Sequence, residues 1–383
     1  MACCGCSLMS PVHQLMVIWE AGRHCECGVL EVLAADDALE IVGTVEVNWP
    51  TQHFPAALSQ LYGTHLPSRS EKIRHCGTGP FLVVLLRDLD PRPGLRRTPR
   101  GVESVDTHMF DLKQVARRLT GGGHRVHATD NAAEFRRDIV ILTGMTEAKF
   151  VERGTFGRET RSVTPDGADG WSTVTAMLEA LSRRTRFCVL RNFEGWDRLG
   201  PTDDHPDIDL LVASPDEAAN AITAHRTSRR RGRVQHQVQI GHRKVNVDIR
   251  TPGDGYLPAT LAEQTLADAV ADPQAVSIPS ARHHLDTLLY HALVHRSALS
   301  QEYALRINQL AAAVGEGLGD LYDPAVQRKL VQAIDVEPPL PDDPSVKYND
   351  ALFGMPRGLR QRRNVQRVRS FGAKGLRRAF LVS

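Results

Sequence analysis

The chain has 383 residues, a length that suggests two domains or a little more. Its composition, 42% hydrophobic and 24% charged, is that of globular protein able to bury sizeable cores. No apolar stretch approaches the ~20 residues needed to cross a bilayer, which excludes a membrane-spanning helix. The formal net charge of +2 hides an asymmetry: residues 351–383 hold nine Lys or Arg and no Asp or Glu, so the body is mildly acidic and the tail strongly basic. Residues 1–10 lack a basic n-region followed by an apolar h-region, and seven cysteines are an odd number in a long chain. Neither a secretory signal nor a disulfide scaffold is expected, and a cytoplasmic protein with reduced thiols is.

In chain order, residues 14–18 read as a short buried strand and 22–35 as a helix. Residues 39–47 alternate like a half-buried strand, and 52–62 suit a second helix. The β-branched and aliphatic run at 79–86 predicts a central strand. A helical pattern at 106–119, a short strand at 125–128 and a helix at 131–142 follow. The order is βαβαβ, then α, β, α, an α/β (α+β) sandwich over 12–150. Residues 151–170, rich in Gly, Thr, Arg and Asp, predict an interdomain linker. An amphipathic helix at 171–184 then leads to strands at 187–190 and 208–212, a helix opening at Ser214, and a hairpin of 234–240 with 244–249 that turns at Gly241-His242. From 257 to 337 the pattern is mostly helical, and 338–383 reads as a Pro/Asp linker followed by the basic tail.

The chemistry concentrates in Asp207-Ile-Asp-Leu-Leu-Val212. Residues i and i+2 of a strand share a face, so Asp207 and Asp209 project together from an otherwise apolar strand. Adjacent carboxylates repel, and a divalent cation is the usual reason to tolerate them; Mg²⁺ takes such hard oxygen ligands and binds NTP phosphates. Val245-Asn-Val-Asp-Ile249 supplies Asp248 on a later strand, a third carboxylate able to serve a second metal or a hydroxyl nucleophile. On repulsion alone, Asp209→Asn is expected to leave the apo fold as stable or more so.

This constellation resembles the DNA polymerase beta-type nucleotidyltransferase superfamily, whose pattern is a strand, a Gly-Ser turn, a hydrophobic-Asp-x-Asp-hydrophobic strand and a later strand with one carboxylate. The resemblance covers about 171–256. It implies that Asp207 and Asp209 are ligands for Mg²⁺ (or Mn²⁺), that Asp248 completes the metal and catalytic site, and that NMP passes from an NTP to a small-molecule or sugar acceptor. Where the superfamily has Gly-Ser this chain has Arg191-Asn192, whose guanidinium and amide donors suit phosphate. Lys244 and Arg250 flank Asp248 and are further nucleotide-binding candidates.

A second motif, Gly121-Gly-Gly-His-Arg-Val-His-Ala-Thr-Asp-Asn131, sets glycines before a short strand and His127 at the mouth of a helix, where an N-terminus favours phosphate. Together with Cys76-Gly-Thr-Gly-Pro-Phe-Leu-Val-Val84, it makes the first domain resemble nucleoside diphosphate kinase, a ferredoxin-like sandwich. That resemblance implies His127 as phosphoacceptor, Asp138 in place of the glutamate that orients it, Tyr62 near the active-site tyrosine, and Arg97 with Thr98 and Arg100 as phosphate contacts. The family's lysine after the first strand is Trp19 here.

Other features are plainer. His291 and His295 share a helix face without the glutamate of a zincin, which fits a core or pocket-facing helix. Five arginines between Arg226 and Arg233 fit a solvated loop. The tail at 357–378 suits an anionic membrane surface or nucleic acid. Two rival functions stay open beside the nucleotidyltransferase: a non-catalytic nucleotide-binding scaffold with both sites degenerate, and a phosphotransferase acting through His127.

Overall fold

The computed structural model describes residues 10–98, 101–194, 196–201, 207–227, 235–272, 276–336, 338, 343 and 346–354. The chain divides into two compact units, Met1–Trp171 and Ser172–Ser383, each of mixed α/β structure. No helix among the described residues is long and apolar enough to cross a membrane. Cys25, Cys27, Cys76 and Cys188 are free thiols. The basic stretch 357–378 and most of the arginine run lie outside the described residues.

In the first unit β1 (Val12–Ile18) leads through a 3₁₀ turn (Glu20–Cys25) and α1 (Glu26–Ala34) to β2 (Leu39–Asn48). Helices α2 (Phe54–Tyr62) and α3 (Glu71–Cys76) precede β3 (Phe81–Asp88). A hairpin of β4 (Pro93–Thr98) and β5 (Gly101–Asp106) forms a sheet of its own before α4 (Thr107–Leu119), β6 (Val126–Ala128), α5 (Ala132–Thr143), α6 (Glu147–Arg153) and β7 (Arg158–Ser162). The main sheet runs β6-β1-β3-β2-β7, antiparallel except for the parallel β2–β7 edge. The unbroken apolar runs of β1 and β3 have a simple cause. Leu15, Val17, Val83 and Leu85 pack against α2 and α5, while Met16, Ile18, Leu82 and Val84 pack against α1 and α4. Both faces of these two strands are covered, so the buried runs at 15–18 of β1 and 81–86 of β3 show no polar alternation.

Residues 151–170 are not the linker expected of them. They carry the end of α6 and strand β7, which adds to the sheet beside β2. The reason the pattern misled is that β7 is an edge strand held by backbone pairing and by ion pairs. Arg158 bridges Glu26 and Glu46, and Arg153 and Arg161 share Glu159, leaving no apolar face to read.

The second unit runs α7 (Val174–Ser182), β8 (Phe187–Val189), β9 (Asp207–Val212), α8 (Pro215–Ala221), β10 (His225–Arg226), β11 (Gln235–Ile240) and β12 (Arg243–Arg250). Its sheet is ordered β10-β11-β12-β9-β8, with β9 and β12 parallel and the other pairs antiparallel. Helices α9 (Ala259–Ala267), α10 (Ala281–Val294), α11 (Gln301–Ala313), α12 (Pro324–Ile334) and α13 (Asp350–Phe353) follow, with a small pair of strands, β13 (Val270–Ala271) and β14 (Ser277–Ile278), after α9. These helices are no separate extension: Leu285, Leu289 and Leu293 share one core with Cys188, Leu190 and Leu211 of the sheet. Part of the expected tail also packs here. Asn349 donates its amide to the Leu293 carbonyl at 2.9 Å, and Tyr348 and Phe353 lie against the same core.

Candidate active site

The carboxylate site follows from strand register. Parallel pairing sets Asp209 opposite Asp248 and Asp207 opposite Asn246, and β11 continues the rows with Gln235 beside Asp248 and Gln237 beside Asn246. Paired positions share a face, so one side of the sheet carries Asp207, Asp209, Asn246, Asp248 and Arg250 with the two glutamines. The other side is apolar and buried, with Ile208, Leu210, Val247 and Ile249. Each of Asp207, Asp209 and Asp248 offers a carboxylate oxygen, and these lie within 4.8 Å of one another.

Asp209 is the buried member, and Arg191 Nη2 donates to its Oδ1 at 2.7 Å. Burial pushes the Asp209 carboxyl up to about 6; Arg191 opposes the shift, and Asp207 and Asp248 add to it. Burial also raises Asp248, against the pull of Arg250. Arg250 Nη2 lies 3.6 Å from Asp248 and 3.2 Å from Asp343. Burial works against the Arg191 charge, but Asp209 more than offsets it and the guanidinium stays ionised.

Arg191 sits just past the end of β8, where Leu190 N–H donates to the Asp209 carbonyl at 2.9 Å. Asn192 follows with φ 59°, a left-handed conformation that asparagine tolerates better than most residues. Its Oδ1 accepts from Arg306 at 2.7 Å. Of the expected nucleotide contacts, Arg191 and Arg250 are thus engaged with carboxylates, Asn192 with Arg306, and Lys244 stands exposed on the carboxylate face of β12.

Sequence reasoning passed over Tyr256. Its ring lies beside both guanidiniums, 5.9 Å from Arg191 and 4.4 Å from Arg250. His291 Nδ1 lies 2.9 Å from that hydroxyl, while Arg296 Nε donates to His291 Nε2 at 3.3 Å. Burial holds His291 neutral, so its single proton is assigned to Nδ1 and points at the Tyr256 oxygen. A signal existed in Thr251-Pro-Gly-Asp-Gly-Tyr256. Asp254 caps this turn by accepting from Thr251 and Tyr256 N–H, which folds the tyrosine back toward the strand it has just left.

In the first unit His127 Nε2 lies 2.9 Å from Asp138 Oδ2. A carboxylate only accepts, so Nε2 carries the proton of this bond; Nδ1 has no hydrogen-bond partner among the described residues. Arg137 fixes Asp138 in turn at 2.6 Å and also bonds Glu134, whose carboxyl is held down at about 2, with burial opposing and Arg137 and His127 prevailing. Tyr62 stands edge-on to His127 at 5.4 Å, with Lys72 Nζ 3.6 Å above its ring. Arg97 is exposed on β4, and no hydrogen bond or ion pair joins it to His127; Arg100 lies outside the described residues. Trp19 packs among Trp49, Phe54 and Phe81, a core residue where the family has its lysine. All three of Gly121, Gly122 and Gly123 have positive φ, yet Arg125 Nη1 donates to the first two carbonyls at 3.0 Å. A Cβ on Gly123 would come within 2.8 Å of the His75 ring.

No protein-family model and no curated protein matches the chain.

Proposed function

We propose that the second unit is a nucleotidyltransferase of the DNA polymerase beta type, transferring NMP from an NTP to a small-molecule or sugar hydroxyl with Mg²⁺ or Mn²⁺. The observation that carries this reading is the convergence of the Asp207, Asp209 and Asp248 oxygens within 4.8 Å on one polar sheet face. Three carboxylates are the hard-oxygen donor set that these ions prefer, so the residues fit the group. When bound, the ion neutralises charge on the phosphates and acidifies the acceptor hydroxyl. The chain's own residues divide the remaining work. Arg250 and Lys244 lie on the face that would meet the triphosphate. Gln235, Gln237 and Asn246 offer neutral donors and acceptors to the acceptor or base. Asp248 takes the acceptor's proton as the new oxygen–phosphorus bond forms at the α-phosphorus, and the bond to the pyrophosphate oxygen breaks.

The test is a screen of NTPs with Mg²⁺ or Mn²⁺ for pyrophosphate release across sugar and small-hydroxyl acceptors, in wild type, Asp207→Asn and Asp248→Asn. Release lost in both variants is the expected result. Nucleotide binding with no release under any condition would favour the non-catalytic scaffold instead.

A second reading applies to the first unit. The antiparallel order β6-β1-β3-β2 supports reading this unit as a ferredoxin-like sandwich of the nucleoside diphosphate kinase type, and the Asp138-oriented His127 supports a phosphate-binding pocket there.

A further inference from the structure

Resting on the nucleotidyltransferase reading, we propose that Arg191 is a built-in cation that takes the place of one of the two metal ions, so that this carboxylate cluster holds a single divalent ion. Four observations lead there. Arg191 Nη2 already occupies Asp209 Oδ1 at 2.7 Å, so one carboxylate of the converging three is shared with a guanidinium, while neither Asp207 nor Asp248 is bonded to it. The guanidinium is not a side chain that swings away at little cost. It is 9% exposed, its Tyr256 contact is itself backed by His291 and Arg296, and its backbone is fixed by the Leu190–Asp209 hydrogen bond on one side and the Arg306-held Asn192 on the other.

Charge gives the third. Among the described residues, the ion-pair network joins two guanidiniums, Arg191 and Arg250, to Asp209, Asp248 and Asp343, with Asp207 as a further carboxylate of the cluster. Ionised, these groups leave two formal negative charges, the charge of one divalent cation. With Asp209 itself buried, a further uncompensated double charge beside it is disfavoured.

Chemistry gives the fourth. For a second ion to enter at Asp209, Arg191 would be left charged and buried without its carboxylate, the arrangement that folded proteins avoid most consistently. A guanidinium presents fixed N–H donors and permanent charge to an anion. It therefore reproduces the electrostatic role of the replaced ion toward a phosphate, but not that ion's capacity to carry a water or alkoxide ligand. The Arg191–Asp209 pair, with the guanidinium donating, and a single ion on the Asp207–Asp248 side would divide the two roles between them.

The experiment is Mn²⁺ titration of the full chain, without nucleotide, read by calorimetry and by the electron paramagnetic resonance of free Mn²⁺. Wild type is expected to bind one ion per chain, and Arg191→Ala two. Arg191→Lys, which keeps the charge, is expected to stay at one. Two ions in wild type overturn the proposal while leaving the nucleotidyltransferase reading intact, and that count needs no variant to fold. One ion in folded Arg191→Ala, or two in folded Arg191→Lys, overturns it as well. No Mn²⁺ in wild type or in the variants overturns both the proposal and the metal-dependent reading beneath it.

Discussion

Asp209 and Asp248 face each other across the parallel β9–β12 ladder, and Arg191 donates to Asp209 at 2.7 Å while Arg250 stands off Asp248 at 3.6 Å. That asymmetry separates the carboxylates energetically. From the sequence, Asp209→Asn relieves repulsion and leaves the fold at least as stable. Arg191 reverses the sign, because removing its partner strands a buried guanidinium. Asp209→Asn is therefore expected to cost the second unit about 3 kcal/mol. Asp207→Asn removes a half-exposed carboxylate and should stay within about 0.5 kcal/mol of wild type. Urea unfolding of both variants checks this; equal stability of the two would sink the assigned role of Arg191.

Arg250 links Asp248 to Asp343, a residue 93 positions further along the chain. Both ends of the Arg250–Asp343 pair are nearly inaccessible. Asp343→Asn should lower stability by about 2 kcal/mol, the cost of leaving a charged donor short of one acceptor. Because Asp248 shares the same guanidinium, the effects of Asp343→Asn and Asp248→Asn should not add, with a coupling of about 1 kcal/mol. Strict additivity would show that Arg250 does not connect them.

A pH dependence is built into the first unit, where His108 Nε2 lies 2.8 Å from Asp36 and Nδ1 3.3 Å from Asp88, with Asp106 beside them. Burial and the neighbouring Asp106 push Asp88 up to about 6 from 3.8. His108 is raised: burial opposes the shift, but its bonds to Asp36 and Asp88 prevail. Asp36 is lowered, with burial opposing and His108 prevailing. For Asp88 the folded form holds its proton more tightly, so its contribution is full below pH 3.8 and is lost as pH rises through about 6. The His108 contribution also fades as pH rises through its raised value. Asp36 acts oppositely and loses its contribution as pH falls below its unfolded value. The first unit should be most protected between pH 3.8 and about 6. Protection factors from hydrogen exchange in α4, higher at pH 5 than at pH 8 and less pH-dependent in Asp88→Asn, are the expected outcome. Greater protection at pH 8 would contradict it.

Much of this was readable in the residues, and the exceptions have causes. β1 and β3 announced themselves because both faces are covered. β7 did not, because an edge strand of Arg, Glu, Thr and Ser carries no apolar period, and the β4–β5 hairpin was hidden for the same reason. At the site, the i, i+2 aspartates and the apolar-flanked Asp248 were legible because strand alternation is local. Asp343, His291 and Arg306 were not, since they reach the site from helices and segments far away in sequence, and no local pattern records such a meeting. Arg191-Asn192 was visible only as a departure from a pattern; that the arginine pairs with Asp209 needed coordinates.

The last prediction concerns His127. Its Nε2–H is committed to Asp138, and Asp138 is fixed by Arg137, which leaves Nδ1 as the nucleophilic nitrogen of an oriented imidazole. Attack by Nδ1 on a γ-phosphate would form a nitrogen–phosphorus bond and release a nucleoside diphosphate. Orientation alone does not complete that step, because charge on the moving phosphoryl group must be met by cations. The position of the family's lysine holds Trp19, sealed among aromatic rings, and the Gly121 and Gly122 carbonyls turn toward Arg125 and not away from it. Among the described residues, Lys72 above the Tyr62 ring and Arg117, whose Nε donates to the Val126 carbonyl at 3.2 Å, are cations near the imidazole, enough to attract phosphate. Nucleotide is thus expected to bind near His127 with little or no transfer. Incubation with γ-labelled NTP should give no acid-labile, alkali-stable label, and calorimetry should show binding that weakens about tenfold in His127→Ala, the loss of roughly 1.4 kcal/mol expected for one hydrogen bond to a charged group. Acid-labile label present in wild type and absent from His127→Ala would instead establish the phosphotransferase, while binding to neither protein would reduce His127 to a structural partner of Asp138.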